Sequence, residues 1–350
     1  MSNGRSESIF NPKTNIQFQN NELRVLLNTA SFAYIWCKKC IGFELSAVMK
    51  HLLPLIYLDA VANAGSIRKA AETLSITSTA LNRRILAMED ELGVPIFERL
   101  ARGVRLTTAG EILIHHIRGQ LTDMERVKSQ IADLSGERRG HVSIACSQAL
   151  LPFFLPEQIA AYRSEHPAVT FEVLLRDRAA AEQALVDFSA DLVLVFEPIS
   201  MLQFQTLLNI RQPLHAVMST GHPLAEQETL RLRECLRYPV ALPTMNFGVR
   251  HLLETAVRRT SLSLDPVVIS DSFEFLRSHV EAENIITFQI PIGLPQLDEK
   301  SEVVGRLVDT RDVPSGLLYF GQLRGRALPV AAGRFAQQMM EYFETRFECD

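Results

Sequence analysis

The sequence predicts an α/β protein in three parts. These are an N-terminal all-α winged helix-turn-helix, a long linker helix, and a two-lobed α/β body. Three observations predict this. Residues 52–92 hold three short stretches whose apolar side chains fall three and four apart, the period of helices that bury one face. Residues 109–135 sustain that period far beyond the length of a connector. From residue 140 onward apolar runs alternate with helical stretches, as in a parallel sheet covered by helices on both sides. At 350 residues the chain has room for more than one domain of roughly 100–200 residues.

The first helix covers about 52–63, with Leu52, Leu55, Ile56 and Leu58 apolar. The second opens at Ser66, an N-cap after Gly65, and buries Ile67, Ala70, Ala71 and Leu74. The third starts at Thr77 after a two-residue turn and buries Leu81, Ile85, Met88 and Leu92. Gly93 stops it, with Pro95 just beyond. Residues 96–108 carry Arg99, Arg102 and Arg105 around Gly103 and read as a basic hairpin, or wing. Thr107 or Thr108 caps the long helix, 109–135. Its stripe of Leu113, Ile117, Leu121, Met124, Ile131 and Leu134 needs a partner, and a second copy of the chain is the economical one. Residues 136–140 form a polar hinge.

Strands are expected at 141–146, 169–175 and 190–196, with helices at 153–164 and 178–188 between them. Further strands are expected at 213–219, 240–243, 267–270, 285–290 and 316–323, and further helices at 248–259, 272–282 and 328–345. The resulting domains are a 49–108 winged helix-turn-helix, a 109–138 linker and a 139–350 two-lobed α/β body. Lobe I would take about 139–210 and 322–345, and lobe II about 211–321. Residues 1–48 lack either period. They are a flexible arm, or the native start is Met49.

Composition narrows the class. Apolar residues are 47% and charged ones 22%, which excludes a fibrous, largely disordered or disulfide-scaffold chain. The formal charge of −4 excludes a histone-like binder but leaves room for a local basic surface. An odd, sparse set of five cysteines fits a reducing compartment. Cys37 and Cys40 make half a zinc site, with no second pair at finger spacing. The opening residues do not form a secretory signal, and the apolar stretch 25–36 is too short to cross a bilayer at about 20 residues. A cytoplasmic protein without membrane contact is expected.

The third helix carries the chemistry. Opposite its buried stripe stand Ser78, Thr79, Asn82 and Arg83, short polar groups with one long cation. Such a helix can enter a major groove end-on, and Arg can grip guanine with about 1–3 kcal/mol of discrimination. Ser66 and Arg68 at the start of the second helix would meet a phosphate. Arg99, Arg102 and Arg105 would lie along flanking phosphates or the minor groove. Between Ser66 and Arg105 there are seven basic and five acidic residues, and Glu89, Asp90 and Glu91 cluster at the end of the helix away from the groove.

These residues also carry a resemblance. Gly65-Ser66, Ala70-Ala71 and Leu74 are followed by Met88-Glu89 and Leu92-Gly93. Then come Ile96-Phe97-Glu98-Arg99 and Leu106-Thr107-Thr108-Ala109-Gly110. In order and spacing they resemble the N-terminal domain of LysR-type transcriptional regulators. Asn82 stands where that family usually has Ser. The later half resembles the family's effector-binding domain, at Arg139-Gly140, His166-Pro167, Ala190-Asp191-Leu192 and Gly221-His222-Pro223-Leu224. Ala282-Glu283-Asn284-Ile285 replaces the family's Gly-x-Gly-Ile turn. The resemblance implies a sequence-specific regulator of promoter DNA, acting as a homodimer or homotetramer, with RNA polymerase as a partner. It also implies a small-molecule effector and no cofactor.

An effector would sit between the lobes, where the carboxyl ends of strands meet helix N-termini. Three junctions qualify: Ser147-Gln148; Thr244-Met245-Asn246-Phe247, leading to Arg250; and Asp271, with Phe288 as an apolar wall. Free N–H groups, hydroxyls and an amide there suit a small anion. Ser147, Thr244, Asp271 and Ser272 also read as helix caps, and Phe288, which follows a strand period, also reads as core. G-x-S-x-G, P-loop, G-x-G-x-x-G and H-E-x-x-H motifs are absent from the sequence, so an enzyme is not expected. The alternative is a solute-binding or enzymatic α/β protein whose N-terminal helices only dimerise.

Overall fold

A computed structural model of the chain describes residues 50–134, 140–294 and 302–347. The N-terminal extension, Cys37 and Cys40, the hinge at 136–139 and Cys349 lie outside the described residues.

The N-terminal unit packs α1 (Leu53–Ala64), α2 (Ile67–Thr73) and α3 (Ser78–Leu92) around Leu58, Val61, Ala70, Ala71, Leu81 and Ile85. Each helix end has a chemical cause. The Ser66 hydroxyl accepts from the Lys69 N–H, the Thr77 hydroxyl accepts from the Ala80 N–H, and Gly93 leaves α3 at a left-handed φ of 70°. Antiparallel β1 (Phe97–Leu100) and β2 (Gly103–Leu106) form the wing. The Val104 N–H donates to the Gly65 carbonyl at 2.9 Å, fastening the wing to the α1–α2 turn. Gly103 is required there: its φ is 97°, and a Cβ would stand 2.4 Å from that carbonyl oxygen.

Next comes α4 (Thr108–Leu134), one unbroken helix of 27 residues. Thr107 is its cap, with the hydroxyl accepting from the Gly110 N–H at 3.0 Å.

Lobe I begins with β3 (Gly140–Cys146), α5 (Phe154–Glu165), β4 (Val169–Leu175), α6 (Ala180–Val186), β5 (Leu192–Phe196) and β6 (Phe204–Gln212). Lobe II holds β7 (His215–Ser219), β8 (Thr229–Leu230), α7 (Leu232–Cys235), β9 (Ala241–Pro243) and α8 (Gly248–Arg258). It continues through β10 (Val268–Ser270), α9 (Phe273–Ala282), β11 (Thr287–Gln289) and β12 (Val303–Val308). The chain then returns to lobe I through β13 (Gly316–Leu323) and α10 (Val330–Arg346).

Among the described residues the lobe I sheet runs β4-β3-β5-β13-β6. The expected βαβαβ unit is its parallel half, with β3 parallel to both β4 and β5. The other half is antiparallel: β13 pairs with β5 on one side and β6 on the other. The sheet is therefore mixed, because β13 re-enters from lobe II against the direction of β5. This also moves the expected lobe boundaries. All of β13, from Gly316, and β6, to Gln212, belong to lobe I, rather than the lobes dividing at 210/211 and 321/322. Lobe II has the order β11-β7-β12-β8, with the parallel pair β9–β10 joined through a Val240–Ile286 bridge. One apolar core continues through both lobes. On lobe I, α10 is anchored by Phe335, which meets the rings of Tyr162 and Phe171 edge-on at 5.4 and 5.0 Å.

Candidate DNA interface and effector cleft

On α3 the alternation of burial leaves one polar face free. Leu81 and Ile85 are buried, while Ser78, Thr79 and Arg83 are exposed. Asn82 is half-buried, and its Oδ1 accepts from the Arg99 guanidinium at 3.0 Å. Strand β1 of the wing and helix α3 thus present one continuous surface, although the two residues stand seventeen apart in sequence. Arg102 is exposed at the wing tip. Arg105 is exposed and ion-paired with Glu98 at 2.6 Å, which raises its pKa. Arg68 at the start of α2 is exposed beside Glu72, and Ser66 is half-buried as the α2 cap. Arg84 turns the other way, over the Tyr57 ring.

Glu89, at the end of α3, has a role that its place in the acidic cluster did not suggest. Its Oε1 accepts the backbone N–H groups of Ile96 and Phe97 at 2.8 and 3.0 Å, so it holds the start of the wing.

The interlobe cleft lies where the carboxyl ends of β3, β4 and β5 face the N-termini of α8 and α9. It is lined by Ser147, Arg176, Arg178, Phe196, Phe247 and Ile290, among others. Its free volume is about 20 Å³, room for roughly one water. The lobes are closed on each other: a Cβ on Gly248 of lobe II would stand 2.6 Å from the Phe196 ring of lobe I. A larger guest must part them.

Of the sequence-predicted effector residues, Ser147 and Phe247 line this cleft. The Ser147 hydroxyl accepts from the Phe196 N–H at 3.3 Å. Gln148 bridges the lobes: its Oε1 accepts the Phe273 N–H at the start of α9, at 2.8 Å, using a donor that an anion would otherwise take. Thr244 is half-buried beyond β9, its N–H bonded to the Ser270 carbonyl, while Met245, Asn246 and Asp271 are exposed at the same end. Arg250 is buried at 8% exposure, bonded along α8 to Glu254 at 2.7 Å, and does not line the cleft. Phe288 is fully buried and lines a second crevice, also of about 20 Å³, beside Phe153, Arg277 and Thr287. The Thr287 hydroxyl there is buried without a hydrogen-bond partner.

Sequence reasoning missed Arg176 and Arg178. Both follow the carboxyl end of β4, but the helix expected from residue 178 begins only at Ala180, so Arg178 belongs to the loop. It donates to the Glu197 carbonyl, and burial lowers its pKa from the ordinary arginine value. Cys146, at the end of β3, is buried, and burial pushes its thiol up to about 12, so it behaves as a small apolar residue.

Two family models cover this architecture. The bacterial regulatory helix-turn-helix protein, lysR family, matches residues 53–111, and the LysR substrate binding domain matches 135–344. The chain belongs to the LysR family. Its two parts are a helix-turn-helix DNA-binding domain and a substrate-binding effector domain, so it is a LysR-type transcriptional regulator and not an enzyme. The transcriptional activator CmpR of Synechocystis sp. is 24% identical over 221 residues, covering 63% of this chain and 72% of that one. A full-length OxyR from Pseudomonas aeruginosa shares the fold with a TM-score of 0.66 at 18% identity, over 83% of this chain and 95% of the other. The effector-binding domain of QuiR, solved in complex with shikimate, shares it at 0.51 and 14% identity, over 60% of this chain and all of that one.

The LysR-family motifs have physical reasons in this structure. The Glu89 carboxylate is the acceptor for the wing, and Gly110 lets α4 pass close to the residue that leads into it: a Cβ there would stand 2.1 Å from the Ile96 oxygen. Among the described residues no helix is long and apolar enough to cross a membrane.

Proposed function

We propose that this LysR-type regulator reads a specific promoter site with α3 in the major groove and the wing beside it. Ser78, Thr79, Asn82 and Arg83 face the bases, and Ser66, Arg68, Arg99, Arg102 and Arg105 face the backbone. The observation that carries this reading is the exposed Ser78–Arg83 surface, made continuous with the wing by the Asn82–Arg99 bond. Two copies join through α4, on whose surface Ile112 stands at 69% exposure. Dimers assemble further into tetramers, and the bound regulator meets RNA polymerase in the cytoplasm.

The cleft takes a small anionic effector between Ser147, Arg176, Arg178 and Phe247. The QuiR domain with its shikimate supports a small carboxylic acid as the class. Thr244, Asn246 and Asp271, at the rim, meet it when the lobes part. An effector that favours one arrangement of the lobes shifts the population of assemblies on DNA. A gel shift on the region upstream of the chain's own coding sequence tests this. Binding should weaken steeply with salt, and Arg83→Ala and Arg99→Ala should each weaken it further. Unchanged affinity in both variants would refute the groove assignment.

A further inference from the structure

Two locally unfavourable residue choices meet at one point of the fold. Gly119 lies in the middle of α4, where glycine is a poor helix former. Phe188 follows the end of α6 at a φ of 57°, a left-handed position where glycine or asparagine is the ordinary choice and an aromatic residue is an outlier. The Phe188 ring fills the notch that Gly119 leaves: a Cβ on residue 119 would stand 3.3 Å from its Cζ. The His115 ring lies 5.4 Å from the same ring, and the Arg326 guanidinium covers it at 4.8 Å.

Both sides of the contact lead elsewhere. One residue earlier on α4, Arg118 bonds Asp59 of α1 at 2.7 Å and also Asn63, tying the same turn to the DNA-binding helices. On the lobe I side, Arg326 reaches Asp191 at 3.6 Å. Asp191 accepts both the N–H and the hydroxyl of Ser143, joining β3 to β5 behind the cleft. Beside the contact lies a cavity of about 520 Å³, lined by Asp59, Asn63, Arg118, Thr122, Arg176 and Ser189. Arg176 lines this cavity and the effector cleft alike.

We propose that Phe188 seated on Gly119 is the joint through which lobe I sets the pose of the winged helix-turn-helix, with the adjoining cavity as the room in which it moves. The proposal rests on the DNA-binding reading above but not on which molecule fills the cleft.

The test uses the full chain and its Phe188→Ala, Gly119→Leu and Gly119→Ala variants, with folding checked by circular dichroism. Two measurements are made: amide hydrogen exchange, and the length of DNA protected upstream of the coding sequence. Phe188→Ala and Gly119→Leu should speed exchange at 184–191 about tenfold and change the protected length. Gly119→Ala discriminates further. Were the glycine only a weak spot, alanine would slow exchange in α4 and leave 184–191 alone; with the added methyl 3.3 Å from the Phe188 ring, the joint requires exchange at 184–191 to change as well. Unchanged exchange in all variants, with normal wild-type protection, overturns the joint alone. Faster exchange with an unchanged protected length overturns the transmission. A wild-type chain that protects no DNA overturns the DNA-binding reading itself.

Discussion

Replacing Glu89 with Ala should release the wing without disturbing the helices. The side chain serves two backbone donors at 2.8 and 3.0 Å, and the residues that own them, Ile96 and Phe97, are buried. Hydrogen bonds to a charged group contribute about 1.5–3 kcal/mol each. Glu89 is itself only half-buried, so the low end applies, and the pair together contribute about 3 kcal/mol. At 1.4 kcal/mol per factor of ten, the Ile96 and Phe97 amides should exchange roughly a hundredfold faster in Glu89→Ala. Glu89→Gln keeps a carbonyl oxygen as acceptor but loses the charge, so roughly tenfold is expected. Native-state hydrogen exchange on the full chain reads both. Less than about a threefold change in Glu89→Ala, or equal effects of the two substitutions, would refute the assignment of Glu89 as the wing's anchor.

Other perturbations test other parts. Gly110→Ala drives a Cβ to 2.1 Å from the Ile96 oxygen, a backbone atom that cannot swing aside, so thermal scans should show the N-terminal unit losing about 1–3 kcal/mol. Burial pushes the Cys146 and Cys235 thiols up to about 12 from an unfolded value near 9. Their stabilising effect is complete below about pH 9 and is lost as pH rises towards 12, so denaturant midpoints should fall across that window, and less steeply in Cys146→Ala. Ile112→Glu places a charge at an exposed apolar side chain of α4, and sedimentation should show association weakened by at least about tenfold, since burying one such side chain contributes roughly 1.5–3 kcal/mol.

The N-terminal unit was legible because its second and third helices are written twice, in an apolar stripe and in a cap. Ser66, Thr77 and Gly93 stand at the ends that the stripes require. Long-range polar contacts were not legible: nothing in the local pattern joins Asn82 to Arg99, or Glu89 to the wing. Strand β6 was missed although Phe204, Leu208, Ile210 and Gln212 alternate inward, because the interleaved polar residues resemble a connector and its partner β13 arrives a hundred residues later. The same late return made the sheet mixed rather than parallel. In the cleft, the rule that ligands gather at the carboxyl ends of strands found Ser147 and Phe247. It lost Arg178 to a helix start placed two residues early, and it could not foresee that the Gln148 amide would be taken by the α9 N-terminus.

The most direct measurement compares wild type and Arg83→Ala, at one fixed salt concentration, on a bound operator carrying every single base-pair substitution. If α3 lies in the major groove, the variant should lose about 1–3 kcal/mol of discrimination at one position of each half-site and keep the rest of the specificity profile. A variant whose profile matches wild type at every position, or is weakened equally on all sequences, would contradict base reading by this helix.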